Sequence, residues 1–258
     1  MSRIEKVFAK GKAFIPFITA GYPSLDVTGK LIIEMAKAGA DLIEIGIPFS
    51  DPVAEGIVIQ QADERALKGG ATTDKIFKMV EEVRKHCEVP LAFMTYINPV
   101  FTYGVEKFLK NCQDCGIDAL IVPDLPFEEK GELKPYCDKY GVDLISFIAP
   151  TSHERIRMIA REARGFVYCV SSMGVTGVRN KITANTYEMI GLVKAEQDIP
   201  CAIGFGLVTP EQAGEMALYG DGIIVESAIV KMVGEYGADC VKPICEYVTK
   251  MKKAICSH

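Results

Sequence analysis

Short apolar segments alternate with amphipathic segments along the whole chain, the pattern of β-strands followed by α-helices. Segments this apolar and rich in β-branched residues are typical of parallel strands covered on both faces. They predict eight strands: Ala13–Thr19, Asp41–Ile47, Pro90–Tyr96, Asp118–Pro123, Asp143–Ile148, Gly165–Val170, Pro200–Ile203 and Asp221–Val225.

The segments between these strands place apolar residues at helical spacing. They predict helices over Leu25–Lys37, from Thr73, over Gly104–Cys115, Glu128–Tyr140, His153–Ala163 and Asn185–Gln197, from Pro210, and over Asp239–Lys252. Eight β-α units without a linker or a shift in composition favour a closed barrel over an open sheet. We therefore predict a single α/β domain spanning residues 1–258, a (β/α)8 TIM barrel with an extra N-terminal helix and a short helix after strand eight.

The segment Ser171–Thr183 follows the sixth predicted strand and differs from the other connections. It contains Gly174 and Gly177 and few side chains that could pack against a core. Segments of this kind often close over bound substrates, so we predict a mobile lid here.

Composition narrows the class of protein. A formal charge of -5 argues against nucleic acid or anionic lipid as partners. No apolar run is long enough to span a membrane, and the N-terminal residues lack the core of a signal peptide, so we expect a cytoplasmic protein. Nine scattered cysteines include a single CxxC pair, Cys112 and Cys115, without a second ligand pair. Reduced thiols are therefore favoured over a metal or redox site.

Two acidic residues follow one another at the second predicted strand. Glu44 interrupts the apolar strand Asp41–Ile47, and Glu55 lies in the loop that leaves it. A carboxylate inside an apolar barrel is costly, so we expect a raised pKa for Glu44. In a TIM barrel both residues would face the site at the C-terminal ends of the strands. The alternative is that Glu44 is a salt-bridged structural residue.

Glycine-rich loops follow the late strands, where TIM barrels commonly bind phosphate. The candidate donors are the backbone of Gly204-Phe-Gly206, the hydroxyls of Thr176 and Ser227, and the backbone of Gly177. Glycine lets backbone N–H groups approach an anion closely. Ordinary βα turns also favour glycine, so the alternative is that these loops are turns without a ligand.

Several longer motifs resemble one family, the tryptophan synthase alpha subunits. The matching segments are Phe14–Pro23, Asp41–Gly56, Met94–Gly104, Leu120–Glu129, Tyr168–Gly177, Ile203–Gln212 and Ser227–Lys231. The similarity extends from about Phe14 to the C-terminus, with all eight strands in order.

The resemblance implies retro-aldol cleavage of indole-3-glycerol phosphate to indole and glyceraldehyde 3-phosphate. It implies no metal and no cofactor in this chain, and an α2β2 complex with a pyridoxal-phosphate β subunit. Glu44 and Glu55 correspond to the catalytic acids of the family. The substrate positions are Phe17, Tyr96, Ile121, Tyr168, Thr176 and Phe205, and the phosphate positions are Gly177, Gly206, Glu226 and Ser227.

The cleavage requires protonation of indole carbon C3 before the glycerol chain departs. A neutral Glu44 could deliver that proton, and its conjugate base could accept one from the glycerol hydroxyl. Glu55, which we expect to be ionised, would stabilise the positive charge that develops at the ring nitrogen.

Three residues depart from the family pattern. Glu55 replaces an aspartate, Ile57 replaces a proline, and Glu226 replaces a glycine beside the phosphate serine. A carboxylate near a phosphate is repulsive unless it turns to solvent or pairs with a base such as Lys231. Besides a working lyase, two alternatives follow. One is a catalytically weakened subunit that acts as allosteric partner of a β subunit, and the other is a barrel lyase or isomerase for another phosphorylated metabolite.

Overall fold

The apolar segments of the sequence form strands of one sheet. The structure is a computed structural model that describes residues 3–170, 179–205 and 209–257. Within these ranges the strands are β1 (Ala13–Thr19), β2 (Ile43–Gly46), β3 (Leu91–Met94), β4 (Ala119–Ile121), β5 (Asp143–Leu144), β6 (Ser146–Ile148), β7 (Val167–Val170), β8 (Cys201–Phe205) and β9 (Gly222–Val225).

The sheet closes on itself as a parallel barrel. Its order is β5-β4-β3-β2-β1-β9-β8-β7-β6, and every pairing is parallel. β5 and β6 are consecutive along the chain and are separated by Ile145 alone. The fifth predicted strand is interrupted there because β5 pairs with β4, whereas β6 pairs with β7. The predicted TIM barrel is therefore confirmed, with its two ends meeting in this segment.

Helices surround the barrel. They are α1 (Arg3–Phe8), α2 (Leu25–Ala38), α3 (Ile57–Lys68), α4 (Thr73–Arg84), α5 (Ile97–Tyr103), α6 (Val105–Cys115), α7 (Lys134–Tyr140), α8 (His153–Glu162), α9 (Arg179–Glu196), α10 (Pro210–Ala217), α11 (Ser227–Tyr236) and α12 (Val241–Cys256). Two 3-10 turns, Phe127–Glu132 and Gly237–Asp239, precede α7 and α12. The predicted extra N-terminal helix is α1, and the predicted helix after strand eight is α11.

Two helices lie where the sequence indicates only loops. A loop is expected after Gly56, but α3 begins at Ile57. α5 directly follows β3 and is seven residues long. Both add helix on the side of the barrel where the strands end, which is where a site is expected.

The helix after β7 begins earlier than predicted. α9 starts at Arg179, whereas the sequence pattern indicates a start at Asn185. The last part of the predicted lid, residues 179–183, is therefore helical in its backbone. The first part, residues 171–178, lies outside the described residues.

The opposite end of the barrel is stabilised by aspartates that precede strands. Asp41, Asp118 and Asp221 accept backbone hydrogen bonds from Phe14, Leu91 and Cys201 at 2.7, 3.0 and 2.8 Å. The same three carboxylates form ion pairs with Lys252, Arg84 and Lys194, respectively. Each acid ties the start of a neighbouring strand to a helix. Such contacts at the N-terminal face serve stability and leave the other face to function.

The described residues contain neither a helix able to cross a membrane nor a group of three or more clustered metal ligands. All nine cysteines lie within them and are free. Cys112 and Cys115 are buried on α6, and burial raises the pKa of the Cys115 thiol to about 12. A neutral, buried thiol is a poor nucleophile and a poor metal ligand.

Candidate active site

Glu44 lies in the wall of the barrel without a polar partner. On β2 it pairs in register with Phe17 of β1 and Ala92 of β3. Its side chain is fully buried, and neither carboxylate oxygen has a hydrogen-bond partner. Loss of water is the main reason that its pKa is raised well above the ordinary value, and the charges of Glu226 and Glu55 raise it further. Because no described cation pairs with Glu44, the salt-bridge alternative does not hold.

The loop that carries Glu55 is fixed by contacts with two neighbouring elements. The hydroxyl oxygen of Tyr96 accepts a hydrogen bond from the amide of Ala54 at 2.9 Å. A longer bond of 3.4 Å runs from the amide of Phe49 to the carboxylate of Asp63 on α3. The rings of Phe49 and Tyr96 pack with their centroids 5.3 Å apart. Tyr96 therefore supports the loop and also forms part of the barrel mouth.

Glu55 differs from expectation in its protonation. Burial, followed by the charges of Glu226 and Asp63, raises the pKa of Glu55 to about 8. At pH 7 this pKa favours the neutral acid, whereas the sequence predicts an ionised carboxylate. The difference arises mainly because burial removes water from Glu55, and the neighbouring acids add to the effect.

Glu226 points into the barrel and does not turn to solvent. Its Oε1 accepts a hydrogen bond of 2.9 Å from the hydroxyl of Tyr168 on β7. Lys231, the expected partner, lies near Glu235 instead, with 3.8 Å between the nitrogen and the oxygen. Burial raises the pKa of Glu226, and the hydrogen bond from Tyr168 opposes that rise. Neither arrangement expected for Glu226 is therefore found.

Glycines make room for the two aromatic rings at the mouth. A Cβ on Gly46 would lie 2.5 Å from Cζ of Phe17, and a Cβ on Gly204 would lie 2.4 Å from Cε1 of Tyr168. Real Cβ atoms do not approach other atoms this closely, so each ring can occupy its position only because the neighbouring residue is glycine. The Tyr168 ring also packs against Phe147, with their centroids 4.8 Å apart.

The remaining predicted apolar positions also lie toward the C-terminal ends of the strands. Phe17, Tyr96, Ile121 and Tyr168 are all buried. Phe17 lies on β1, Ile121 ends β4, and Tyr96 follows β3. Phe205 ends β8. The side chains of Phe17, Tyr96, Ile121 and Tyr168 provide apolar surface at this end of the barrel, which suits a flat aromatic ligand.

Only part of the predicted phosphate site is described. Ser227 is the first residue of α11, and Glu226 precedes it. The first amides of a helix lack intrahelical acceptors and attract anions. Thr176, Gly177 and Gly206 lie outside the described residues.

Asp63 is not among the residues predicted from the sequence, and the structure places it beside the loop that carries Glu55. Asp63 is buried on α3, and burial raises its pKa to about 7, against the lowering effect of the Phe49 amide. Its neighbours on the buried stripe are Ile59, Ala62 and Ala66. The sequence feature that could have identified Asp63 is a charged residue among apolar residues at helical spacing. This feature is recognised only if the segment is interpreted as a helix.

Comparison with known proteins gives one consistent result. The family described as "Tryptophan synthase alpha chain" matches residues 5–256. A protein of that name from Lacticaseibacillus casei is 46% identical over 255 residues, covering 99% of this chain and 96% of the relative. Another from Thermoanaerobacter sp. (strain X514) is 44% identical and covers 99% and 100%.

Solved structures agree with the sequence relatives. The tryptophan synthase subunit alpha from Legionella pneumophila str. Paris is 35% identical, covers 100% of both chains and has a TM-score of 0.90. A chain of the aminoacrylate-bound tryptophan synthase from M. tuberculosis is 31% identical, covers 99% of this chain and 100% of that chain, and has a TM-score of 0.88. These proteins therefore share the fold of the described barrel.

Proposed function

The chain belongs to the tryptophan synthase alpha chain family, and from this premise we propose how its barrel cleaves indole-3-glycerol phosphate into indole and glyceraldehyde 3-phosphate. The observation that carries the proposal is the fully buried, unpartnered carboxyl of Glu44 at the barrel mouth. A buried polar group without a hydrogen-bond partner lowers the stability of the folded protein, and such groups are found most often at functional sites.

Glu44 acts as the general acid and base. Its raised pKa favours the protonated carboxyl, which can deliver a proton to carbon C3 of the indole ring. The resulting carboxylate then accepts the proton of the glycerol hydroxyl as the carbon–carbon bond breaks. Glu44 ends the cycle protonated, as it began.

Glu55 stabilises the charge that develops on the ring nitrogen. The pKa of about 8 means that the active form, the carboxylate, becomes more populated as pH rises. A nearby indole N–H donor would favour the ionised form and lower this pKa in the complex. The contacts of Tyr96 and Asp63 with the loop hold Glu55 in position for this role.

The phosphoryl group binds at the start of α11. Ser227 supplies a hydroxyl and the first amides of a ten-residue helix supply N–H donors. We include Thr176, Gly177, Gly206 and Phe205 in the proposed substrate site on the family resemblance alone. The indole ring lies on the apolar side chains of Phe17, Ile121 and Tyr168.

The family relationship also suggests a partner. One structural relative is a tryptophan synthase in an aminoacrylate-bound form. We propose that this chain assembles with a β subunit as an α2β2 complex and passes indole to it. We propose no cofactor for this chain, since proton transfer by carboxyl groups accounts for each step of the cleavage.

The test is release of indole from indole-3-glycerol phosphate, alone and with a β subunit. Glu44→Gln retains the size of the side chain but removes the exchangeable acid, and we expect kcat to fall by about 100- to 10,000-fold. Glu64→Gln is the matched control, because Glu64 is an exposed acid on α3 that pairs with Lys68. Its activity should equal that of the wild type.

Two outcomes would contradict the proposal. Full turnover by Glu44→Gln would remove the acid–base role. Wild-type protein that stimulates a β subunit but releases no indole would indicate a binding partner without lyase activity.

A further inference from the structure

Glu226 introduces a third carboxylate into the site, where the family resemblance leads us to expect glycine. It directly precedes Ser227, and its side chain is turned toward the barrel by the hydroxyl of Tyr168 at 2.9 Å. A carboxylate next to the proposed phosphate site opposes binding of a dianion. Protonation of Glu226 would remove this repulsion.

The groups facing Glu226 come from several elements, and none of the described ones supplies a positive charge. Tyr168 approaches from β7, Glu44 from β2 and Glu55 from the following loop; charge on Glu226 raises the pKa of all three. On its own helix, Lys231 lies beside Glu235, 3.8 Å from its carboxylate. An ionised Glu226 is therefore held by one neutral hydrogen bond.

We infer that Glu226 controls the charge state in which the site binds its substrate, taking up one proton from solvent when a phosphoryl group is seated at Ser227. The inference rests on the proposed function, which places the phosphoryl group there. In the structure the carboxylate of Glu226 accepts the Tyr168 hydrogen bond. In the complex the protonated side chain no longer repels the dianion and can itself donate a hydrogen bond to it.

Glu44, a neighbouring acid that is fully buried, is also expected to change its protonation during the reaction. Neither of its oxygens has a hydrogen-bond partner among the described residues. Protonation of Glu226 removes one negative charge from this cluster at the moment when the phosphoryl group adds two. The site thus limits the accumulation of like charge that would otherwise weaken binding.

Sulfate is the suitable probe because it remains a dianion between pH 5.5 and 7, unlike phosphate. Calorimetric titration of the full chain in two buffers of different ionisation enthalpy counts the protons taken up on binding. For the wild type we expect uptake of up to one proton per sulfate, with a Kd that rises by as much as about tenfold per pH unit. For Glu226→Gln we expect uptake near zero and a Kd that changes little over this range.

Two further variants locate the effect. Glu235→Gln alters an acid at the far end of α11, 53% exposed, and should behave as the wild type. Ser227→Ala should weaken sulfate binding at every pH. Equal proton uptake by the wild type and Glu226→Gln would overturn the inference, as would sulfate binding that is absent or unaffected by Ser227→Ala.

Indole release is measured on the same preparations. Normal release by the wild type together with any of these contrary binding results overturns the role of Glu226 but not the lyase. Absent release by the wild type overturns the proposed function itself. In the supporting case, Glu226→Gln should also lower the KM for indole-3-glycerol phosphate at pH 7, and the alkaline rise in kcat/KM attributed to Glu55 should move to lower pH.

Discussion

Replacing Glu44 with methionine should stabilise the protein while abolishing lyase activity. The carboxyl is fully buried, and both oxygens lack hydrogen-bond partners. Leaving a polar group buried and unpaired costs about 1–3 kcal/mol, which an apolar side chain of similar length would recover. For a protein of about this size, each 1 kcal/mol raises Tm by roughly 2–4 °C, so we expect an increase of roughly 2–12 °C.

The stability that Glu44→Met gains over the wild type should increase as pH rises. Burial raises the pKa of Glu44 in the folded state above its unfolded value, so the folded protein retains a proton that the unfolded chain releases. Wild-type stability is then lost as pH rises from about 4.5 toward the folded-state pKa, by about 1.4 kcal/mol per pH unit for this group. Methionine does not titrate. The advantage of Glu44→Met should therefore be larger at pH 9 than at pH 5.

Urea unfolding of both proteins at pH 5, 7 and 9 measures this difference directly. Glu44→Gln is the informative control, because it remains polar and unpaired but cannot ionise; it should gain little at pH 5 and more at pH 9. The reasoning is refuted if Glu44→Met is less stable than the wild type at pH 9. A gain that is independent of pH would instead show that the pKa of Glu44 is not raised in the folded protein, although the unpaired carboxyl would still be costly.

Three other changes test separate parts of the structure. Tyr96→Phe removes the hydroxyl that accepts a hydrogen bond from Ala54 in the loop that carries Glu55. We expect kcat/KM for indole release to fall about tenfold and the free energy of unfolding to fall by about 1 kcal/mol. Unchanged kinetics would show that the loop does not depend on this hydrogen bond. Gly46→Ala places a Cβ 2.5 Å from the Phe17 ring, and urea unfolding should show a loss of about 1–3 kcal/mol; an equally stable variant would mean that the ring moves freely. Arg84→Met removes the 2.9 Å ion pair of Asp118 at the opposite end of the barrel and leaves the longer 3.8 Å contact with Arg3. Unfolding should therefore require about 3 kcal/mol less, the lower end of the cost of breaking a buried pair, while kcat measured below Tm remains unchanged; a selective loss of kcat would contradict the separation of the two ends.

The barrel was predictable because its strands are locally distinctive. Each predicted strand is a short apolar segment, and such a segment is enough to indicate a strand that is buried on both faces. The helices α3 and α5 were not predicted, because α3 follows a loop with prolines and the short α5 contains Pro99, and both features indicate irregular structure. α3 carries Asp63 on its buried stripe, so its apolar periodicity is broken at the position that contacts the catalytic loop. The residue that obscures the helix in the sequence is the one that ties it to the site.

The sequence indicates which acidic residues lie at the barrel mouth, but it does not indicate their charges. An acid within an isoleucine-rich strand indicates a raised pKa, and Glu44 has one. The expectation for Glu55 differed, because its pKa depends on Glu226 and Asp63, which approach from other elements. The direction of the Glu226 side chain depends on the hydroxyl of Tyr168, 58 residues away in the sequence. Interactions between acids on separate strands have no counterpart in local sequence pattern.

The two ends of the barrel use the same type of side chain in opposite ways. At the N-terminal face each of the three aspartates has both a backbone amide and a cation, so the charge is satisfied and the contact ties strand to helix. At the C-terminal face Glu44, Glu55 and Glu226 face one another, and burial raises the pKa of each. Supplying cations there would improve stability, but it would lower the pKa values and remove the neutral acid on which proton transfer depends. The lack of a hydrogen-bond partner for Glu44 among the described residues therefore fits the proposed proton transfer at this end, whereas the paired aspartates at the other end tie strands to helices.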